Sequence, residues 1–91
     1  MSPTEKRPQR LPDFRLETMD NELLLFNPKT THVIYMNNSA SVIWQLCDGD
    51  RTTGEIVALL SDTYPEAAAS MKKDVEETID LLVTNSALKM V

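Results

Sequence analysis

Short runs of apolar residues separated by turn-forming residues follow residue 13 of the chain. In the segment 14–17 apolar and charged residues alternate, as in a half-buried β-strand. Two further segments, Leu23–Phe26 and His32–Met36, are rich in aliphatic, aromatic and β-branched residues, and Asn-Pro-Lys-Thr separates them. The short connections predict three strands in an antiparallel meander.

From residue 37 onward the apolar positions recur at helical spacing. The first predicted helix covers about Asn38–Cys47, behind an asparagine that can cap its free amides, and Gly49 is suited to end it. Thr52 and Glu55 have the spacing of a capping box, which predicts the start of a second helix. Pro65 is expected to stop this helix.

The third predicted helix is the longest and covers about Ala67–Asn85. Its apolar stripe is wide, because Leu81 and Val83 lie on opposite shoulders of it. The residues expected on the stripe are Met71, Val75, Thr78, Ile79 and Leu82. Three strands followed by three helices predict an α+β fold, a three-stranded antiparallel sheet with helices on one face, similar in order to a winged helix-turn-helix.

The first thirteen residues have a different character. Met1–Pro12 contains three prolines and few side chains suited to a core, so we expect residues 1–13 to form a flexible arm. The folded domain is expected to span residues 14–91, with the apolar tail 87–91 packed under the helices. Deletion of the arm is then expected to have little effect on stability.

Length and composition limit the function further. Ninety-one residues make one small domain, expected to act as a monomer. The chain shows neither a membrane-spanning run nor a secretory signal, and a single cysteine allows no disulfide within it, so we expect a cytoplasmic protein. The net charge of −5, distributed as +2 over residues 1–15 and −7 beyond them, opposes binding to nucleic acid.

No arrangement of residues in the sequence indicates catalysis. His32 is the only histidine, and it lies in a predicted strand with no partner nucleophile or acid suggested by spacing. Cys47 lies on the apolar face of the first helix and is expected to be a small buried residue. The acidic residues of the third helix have the spacing of a solvated flank rather than of a metal site. We therefore expect a protein without catalytic residues, cofactor or metal.

The order of elements leaves two functions without catalysis open at this point. The order of elements also suits a winged-helix regulator that binds DNA, although its recognition face would be acidic. The second alternative is a structural subunit whose exposed edge strand pairs with an enzyme. Binding that weakens steeply as the salt concentration rises would identify a DNA-binding protein.

Five short motifs follow one another from the third predicted strand to the third predicted helix. They are Met36-Asn37-Asn38-Ser39-Ala40, Ile43-Trp44-Gln45-Leu46, Asp48-Gly49 with Thr52 close behind, Glu55-Ile56-Val57, and Asp74-Val75. By their order and spacing, more than by any one motif, Val33–Leu88 resembles the PqqD family, also described as the RiPP recognition element. Met36 replaces the usual leucine, a change that conserves volume.

The resemblance implies a non-catalytic peptide chaperone. Such a protein binds the leader segment of a ribosomally synthesised precursor peptide and presents it to a modifying enzyme, for example a radical SAM enzyme or a leader peptidase. In the family the leader lies beside the third strand and over the third helix. On this sequence that position implies peptide-binding residues Thr31, His32, Val33, Ile34, Tyr35 and Met36 from the strand, and Met71, Val75, Thr78, Ile79 and Leu82 from the helix.

The predicted third strand supports this assignment by its position. In a meander it lies at the edge of the sheet, where another chain can pair with its backbone. The segment 32–36 lacks the lysines and prolines that usually protect such edges. For Val75, Ile79 and Leu82 the sequence is equally consistent with a purely structural place in the core.

Overall fold

The three predicted strands form one antiparallel sheet, and three helices follow it, which confirms the predicted α+β fold. The protein is described here from a computed structural model that covers residues 6–91. The strands are β1 (Pro8–Arg10), β2 (Arg15–Met19), β3 (Glu22–Asn27), β4 (His32–Met36) and β5 (Leu88–Met90), and the helices are α1 (Asn38–Leu46), α2 (Thr53–Thr63) and α3 (Ala68–Thr84).

Tight turns set the register of the three-stranded sheet, whose order is β2-β3-β4. Asp20 and Asn21 both have positive φ, 50° and 67°, as a type I′ hairpin turn requires. This two-residue turn places Met19 opposite Glu22. The longer β3–β4 turn is held by Asn27, whose Oδ1 accepts hydrogen bonds from the backbone N–H groups of residues 29 and 30 at 2.9 and 3.4 Å.

Helices α1 and α2 begin at the caps that the sequence predicts. The side chain of Asn37 accepts a hydrogen bond from the Ala40 N–H at 2.7 Å at the start of α1. At the start of α2 the Thr52 hydroxyl accepts from the Glu55 N–H at 3.1 Å, and the Glu55 carboxylate accepts from the Thr52 N–H at 2.9 Å. The capping box is therefore confirmed. A single 3₁₀ turn at Pro65–Ala67 separates α2 from α3.

The core lies between the inner face of the sheet and the three helices. Strand β3 contributes Leu25, α2 contributes Ile56, and the C-terminal segment contributes Leu88. The remaining buried apolar residues of this cluster are Phe14, Ile34, Met36, Ile43, Trp44, Cys47, Leu60, Met71, Val75, Ile79, Leu82 and Ala87. Within residues 6–91 no helix is long and apolar enough to cross a bilayer.

The N-terminal segment differs from the sequence-based expectation. Pro8–Arg10 forms β1, which pairs antiparallel with β5, and the side chain of Pro8 is fully buried. Backbone hydrogen bonds of 3.0 and 2.8 Å in the two directions join Arg7 to Val91. The expectation of a flexible arm over residues 1–13 is therefore corrected for residues 6–13. Residues 1–5 lie outside the described residues.

The segment also ties the α1–α2 loop to the C-terminus. The backbone carbonyls of Pro8 and Lys6 accept hydrogen bonds from the N–H groups of Gly49 and Thr53, both at 3.0 Å. Gly49 has φ +83°, and a Cβ there would lie 3.2 Å from the Gln9 side chain, so both the conformation and the close approach favour glycine. The folded unit thus includes residues well before position 14.

Candidate functional site

Strand β4 is an edge of the sheet, as predicted. It pairs with β3 on one side, and among the described residues no strand pairs with its other side. Side chains alternate along it: Ile34 and Met36 are buried toward the helices, whereas Val33 and Tyr35 are 39% and 71% exposed on the outer face. The strand therefore offers a free backbone edge next to the core.

The register identifies which backbone groups point to this free edge. The type I′ turn closes on a hydrogen-bonded pair, and bonded pairs alternate with non-bonded ones along an antiparallel ladder. On β3 the even-numbered positions then bond to β2 and the odd-numbered ones to β4, where their partners are Met36, Ile34 and His32. It follows that Val33 and Tyr35 direct their N–H and C=O groups outward.

Helix α3 runs alongside β4 in the opposite direction. At its beginning, Asp74 shares a pocket with Asn38, which follows the end of β4. At its end, Asn85 Oδ1 lies 3.2 Å from Nε2 of His32, the first residue of β4. Helical spacing from Asp74 to Asn85 adds Thr78 and Leu81 to the same shoulder of α3.

We define the cleft as the space between β4 and the α3 residues Asp74, Thr78, Leu81 and Asn85. Helix α3 packs mainly against α2, α1 and β5 rather than against β4. The side chain of Leu81 is 52% exposed, and that of Thr78 is half-buried. A second chain that paired with the backbone edge would therefore lie beside the exposed side chain of Leu81.

The structure separates the predicted helix residues into two groups. Met71, Val75, Ile79 and Leu82 have side chains that are 8%, 0%, 3% and 0% exposed, and all belong to the core. Of the predicted helix residues, Thr78 is the one that reaches the cleft surface. On the strand side, His32, Val33 and Tyr35 are exposed, whereas Ile34 and Met36 are buried and direct their backbone groups toward β3. Thr31 lies in the turn with φ +59°.

Asp74, Leu81 and Asn85 line the cleft but are absent from the predicted set, and Leu81 is the apolar residue among them. Its signal in the sequence is its place on one shoulder of a stripe wider than packing against one neighbour requires. Val83, on the opposite shoulder, is 37% exposed and lies in a different pocket, with Ile79 and Met90 among its neighbours. The two shoulders look alike in sequence, and only the position of β4 distinguishes them.

His32 and Cys47 have structural surroundings. The ring of His32 packs edge to face against Phe14, with centroids 6.0 Å apart and planes at 88°. Cys47 is fully buried, its Sγ donates to the Ile43 carbonyl at 3.0 Å, and burial raises the pKa of its thiol to about 12. Such a thiol is protonated at neutral pH and is a poor nucleophile.

Acidic side chains dominate the exposed faces of α2 and α3. Glu55 and Asp62 are exposed on α2, and Asp74, Glu77 and Asp80 are exposed on α3. The pKa of the Glu55 carboxyl is lowered, first by its hydrogen bond from the Thr52 backbone N–H. These faces would repel a phosphate backbone, which argues against docking of either helix on DNA.

Comparisons with known proteins identify the family and the fold. The sequence profile of the family described as Coenzyme PQQ synthesis protein D (PqqD) matches residues 22–88. The solved structure of TbiB1 in complex with the TbiA(beta) leader peptide has the same fold, with a TM-score of 0.71, 18% sequence identity, and coverage of 89% of this chain and 94% of that chain. No curated protein matches the chain in sequence. The profile match spans more than half of the chain, and the protein therefore belongs to the PqqD family.

Proposed function

We propose that this protein is a peptide-binding adaptor that captures the leader segment of a ribosomally synthesised precursor and presents it to a separate modifying enzyme. The observation that carries the proposal is the unpaired edge of β4 beside the exposed shoulder of α3. Membership of the PqqD family and the shared fold with a leader-bound protein support it.

The binding mode that fits the cleft is addition of a strand to the sheet. The leader would pair with the outward backbone groups of Val33 and Tyr35 and extend the order β2-β3-β4 by one strand. Up to four backbone hydrogen bonds would form, each contributing about 0.5–1.5 kcal/mol net. Binding with a dissociation constant of about 1 μM requires a binding free energy of roughly −8 kcal/mol. Backbone pairing alone would therefore not give binding of that strength.

Side-chain contacts along α3 would supply the remaining binding free energy. A leader side chain that points toward the helices would cover Leu81, which is half exposed in the free protein. Covering an apolar side chain contributes about 25 cal/mol per Å² of area removed from water. The backbone would thus position the peptide, and the helix shoulder would select its side chains.

The role of the adaptor would be to raise the local concentration of precursor at its enzyme. No catalytic group is needed for this, and neither His32 nor Cys47 has the surroundings of one. The enzyme, for example a radical SAM enzyme or a leader peptidase, would supply the chemistry. Because ribosomes make the precursor, the adaptor would act in the cytoplasm.

A titration followed by NMR tests the proposal. Synthetic leader segments from short reading frames beside the gene would be added to the ¹⁵N-labelled protein, and a 20-base-pair DNA duplex would be the comparison ligand. We expect amide shifts at residues 31–36 together with Thr78, Leu81 and Asn85, and none with duplex. Shifts clustered at residues 48–53, or duplex binding that weakens steeply with salt, would contradict the proposal.

A further inference from the structure

A pocket of about 300 Å³ lies at the beginning of α3, next to the cleft. Apolar side chains from all three helices form its walls, among them Val42, Leu60 and Met71. Ala67, in the turn before α3, also lines it. This volume is at the lower end of the range for ligand pockets and suits one large side chain rather than a whole cofactor.

The pocket continues the cleft at the end of β4. Asn38, which lines the pocket, follows Met36 by two residues, and Asp74 belongs to both the pocket and the cleft. An extended peptide advances about 3.3 Å per residue. A leader paired along β4 would therefore bring a side chain to the pocket within one or two residues beyond Met36.

The rim of the pocket is acidic. Glu66 and Asp74 line it, and no lysine or arginine does. Within residues 6–91 neither carboxylate takes part in an ion pair, although Asp74 Oδ2 accepts a hydrogen bond from the Ser70 hydroxyl at 3.1 Å. Two exposed carboxylates around an apolar pocket favour an occupant that is apolar at its tip and cationic beside it.

We propose that this pocket is a specificity subsite that takes one large apolar side chain of the leader, with a lysine or arginine next to it facing Glu66 and Asp74. The inference rests on the proposed function and specifies the chemistry of the peptide. Burial of the apolar side chain would raise affinity about 10- to 100-fold over alanine. The exposed ion pair would add a factor of about two to five.

Two pairs of variants test the two parts of the subsite. Ala67→Trp would fill the pocket, and Ala69→Trp would add the same side chain at an exposed position of α3 outside the pocket. Glu66→Lys with Asp74→Lys would reverse the charge of the rim. Asp62→Lys with Asp80→Lys would make the same change in net charge at exposed sites away from the pocket.

The probe would be a library of random 12-residue peptides displayed on their messenger RNA. We expect the wild type to enrich peptides with an aromatic or large aliphatic residue beside Lys or Arg. The pocket-filling variant should lose the apolar preference, the rim-reversed variant should lose the basic one, and both controls should select as the wild type does. Circular dichroism would establish that each variant is folded.

The outcomes distinguish this inference from the function on which it rests. Two results would overturn the subsite and leave the adaptor function intact. In the first, the enriched peptides shift the amide signals of residues 31–36 but contain no apolar–basic pair. In the second, the pocket variants and their controls select the same peptides. A library from which no peptide is enriched would overturn both. Retention of the preference with Ala69→Trp and its loss with Ala67→Trp is the result that supports the subsite.

Discussion

His32 Nε2 lies 3.2 Å from Asn85 Oδ1, a hydrogen-bonding contact between residues 53 positions apart in sequence. His32 begins β4, and Asn85 caps the end of α3. Among the side-chain hydrogen bonds within residues 6–91, this is the one that connects these two elements. It closes one end of the cleft, while the other end adjoins the pocket at Asn38.

Proline at the outward-facing positions of β4 should abolish peptide binding. Val33→Pro or Tyr35→Pro removes an amide donor that faces solvent in the free protein, so the sheet should keep its own ladder. We expect at least a tenfold loss of affinity, measured by fluorescence anisotropy with a labelled leader peptide. The thermal midpoint should change by only a few degrees.

Ile34→Pro provides the contrast, because the Ile34 amide faces β3 and its side chain is 7% exposed in the core. That variant should unfold rather than merely lose binding. Alanine at position 33 or 35 should weaken binding less than proline does, since it keeps the backbone donor. Equal effects of alanine and proline would mean that the peptide does not pair with β4.

The two shoulders of α3 should respond differently to the same substitution. Leu81→Asp places a charge in the cleft and should weaken leader binding about tenfold or more, because an apolar contact is replaced by a charge that must lose water. Val83→Asp, on the opposite shoulder, should leave affinity unchanged. Both side chains are partly exposed, so both variants should fold. Equal losses measured by calorimetry would place the peptide elsewhere.

Deletion of residues 1–12 should destabilise the protein. It removes β1, buried Pro8, and the hydrogen bonds from the Arg10 guanidinium to the Trp44 and Gln45 carbonyls at the end of α1. We expect the free energy of unfolding to fall by about 2 kcal/mol, which lowers the melting temperature by roughly 10 °C in a domain of this size. Deletion of residues 1–5 alone is the control. An unchanged melting temperature after the longer deletion would show that β1 contributes nothing to stability.

Cys47 should make the protein less stable at alkaline pH. Burial disfavours the thiolate and raises the pKa of this thiol from its ordinary value of 9.0 to about 12 in the folded protein. The neutral thiol therefore stabilises the fold fully below pH 9, and this contribution is lost as the pH rises from 9 toward 12. The expected slope is about 1.4 kcal/mol per pH unit. Urea unfolding of wild type and Cys47→Ala at pH 8 and 10 would show the difference between them shrinking. A constant difference would contradict the predicted titration.

Local signals in the sequence were enough to determine the three strands of the β2-β3-β4 sheet, the three helices and the caps of α1 and α2. Thr52 and Glu55 form the predicted capping box, and both of its hydrogen bonds join residues only three positions apart in sequence. The edge position of β4 also followed from sequence, since short connections favour a meander. The family resemblance over the second half of the chain was carried by motifs of this local kind.

The N-terminal segment shows why other features could not be predicted. Met1–Pro12 has few apolar side chains, so its pattern indicates a free arm. Its place in the fold depends on backbone groups that pair with Val91, Gly49 and Thr53, all distant in sequence. Backbone hydrogen bonds between distant segments do not depend on the pattern of side chains. For this reason only the tertiary structure revealed β1.

The cleft shows the same division between sequence and structure. Helical periodicity determined that α3 has a wide apolar stripe with Leu81 and Val83 on its shoulders. It could not determine that the side chains of Met71, Val75, Ile79 and Leu82 are buried in the core. Nor could it determine that Leu81 rather than Val83 lies on the side of α3 that faces β4. Periodicity is a property of one helix, whereas the face that stays open depends on where the sheet and the other helices pack.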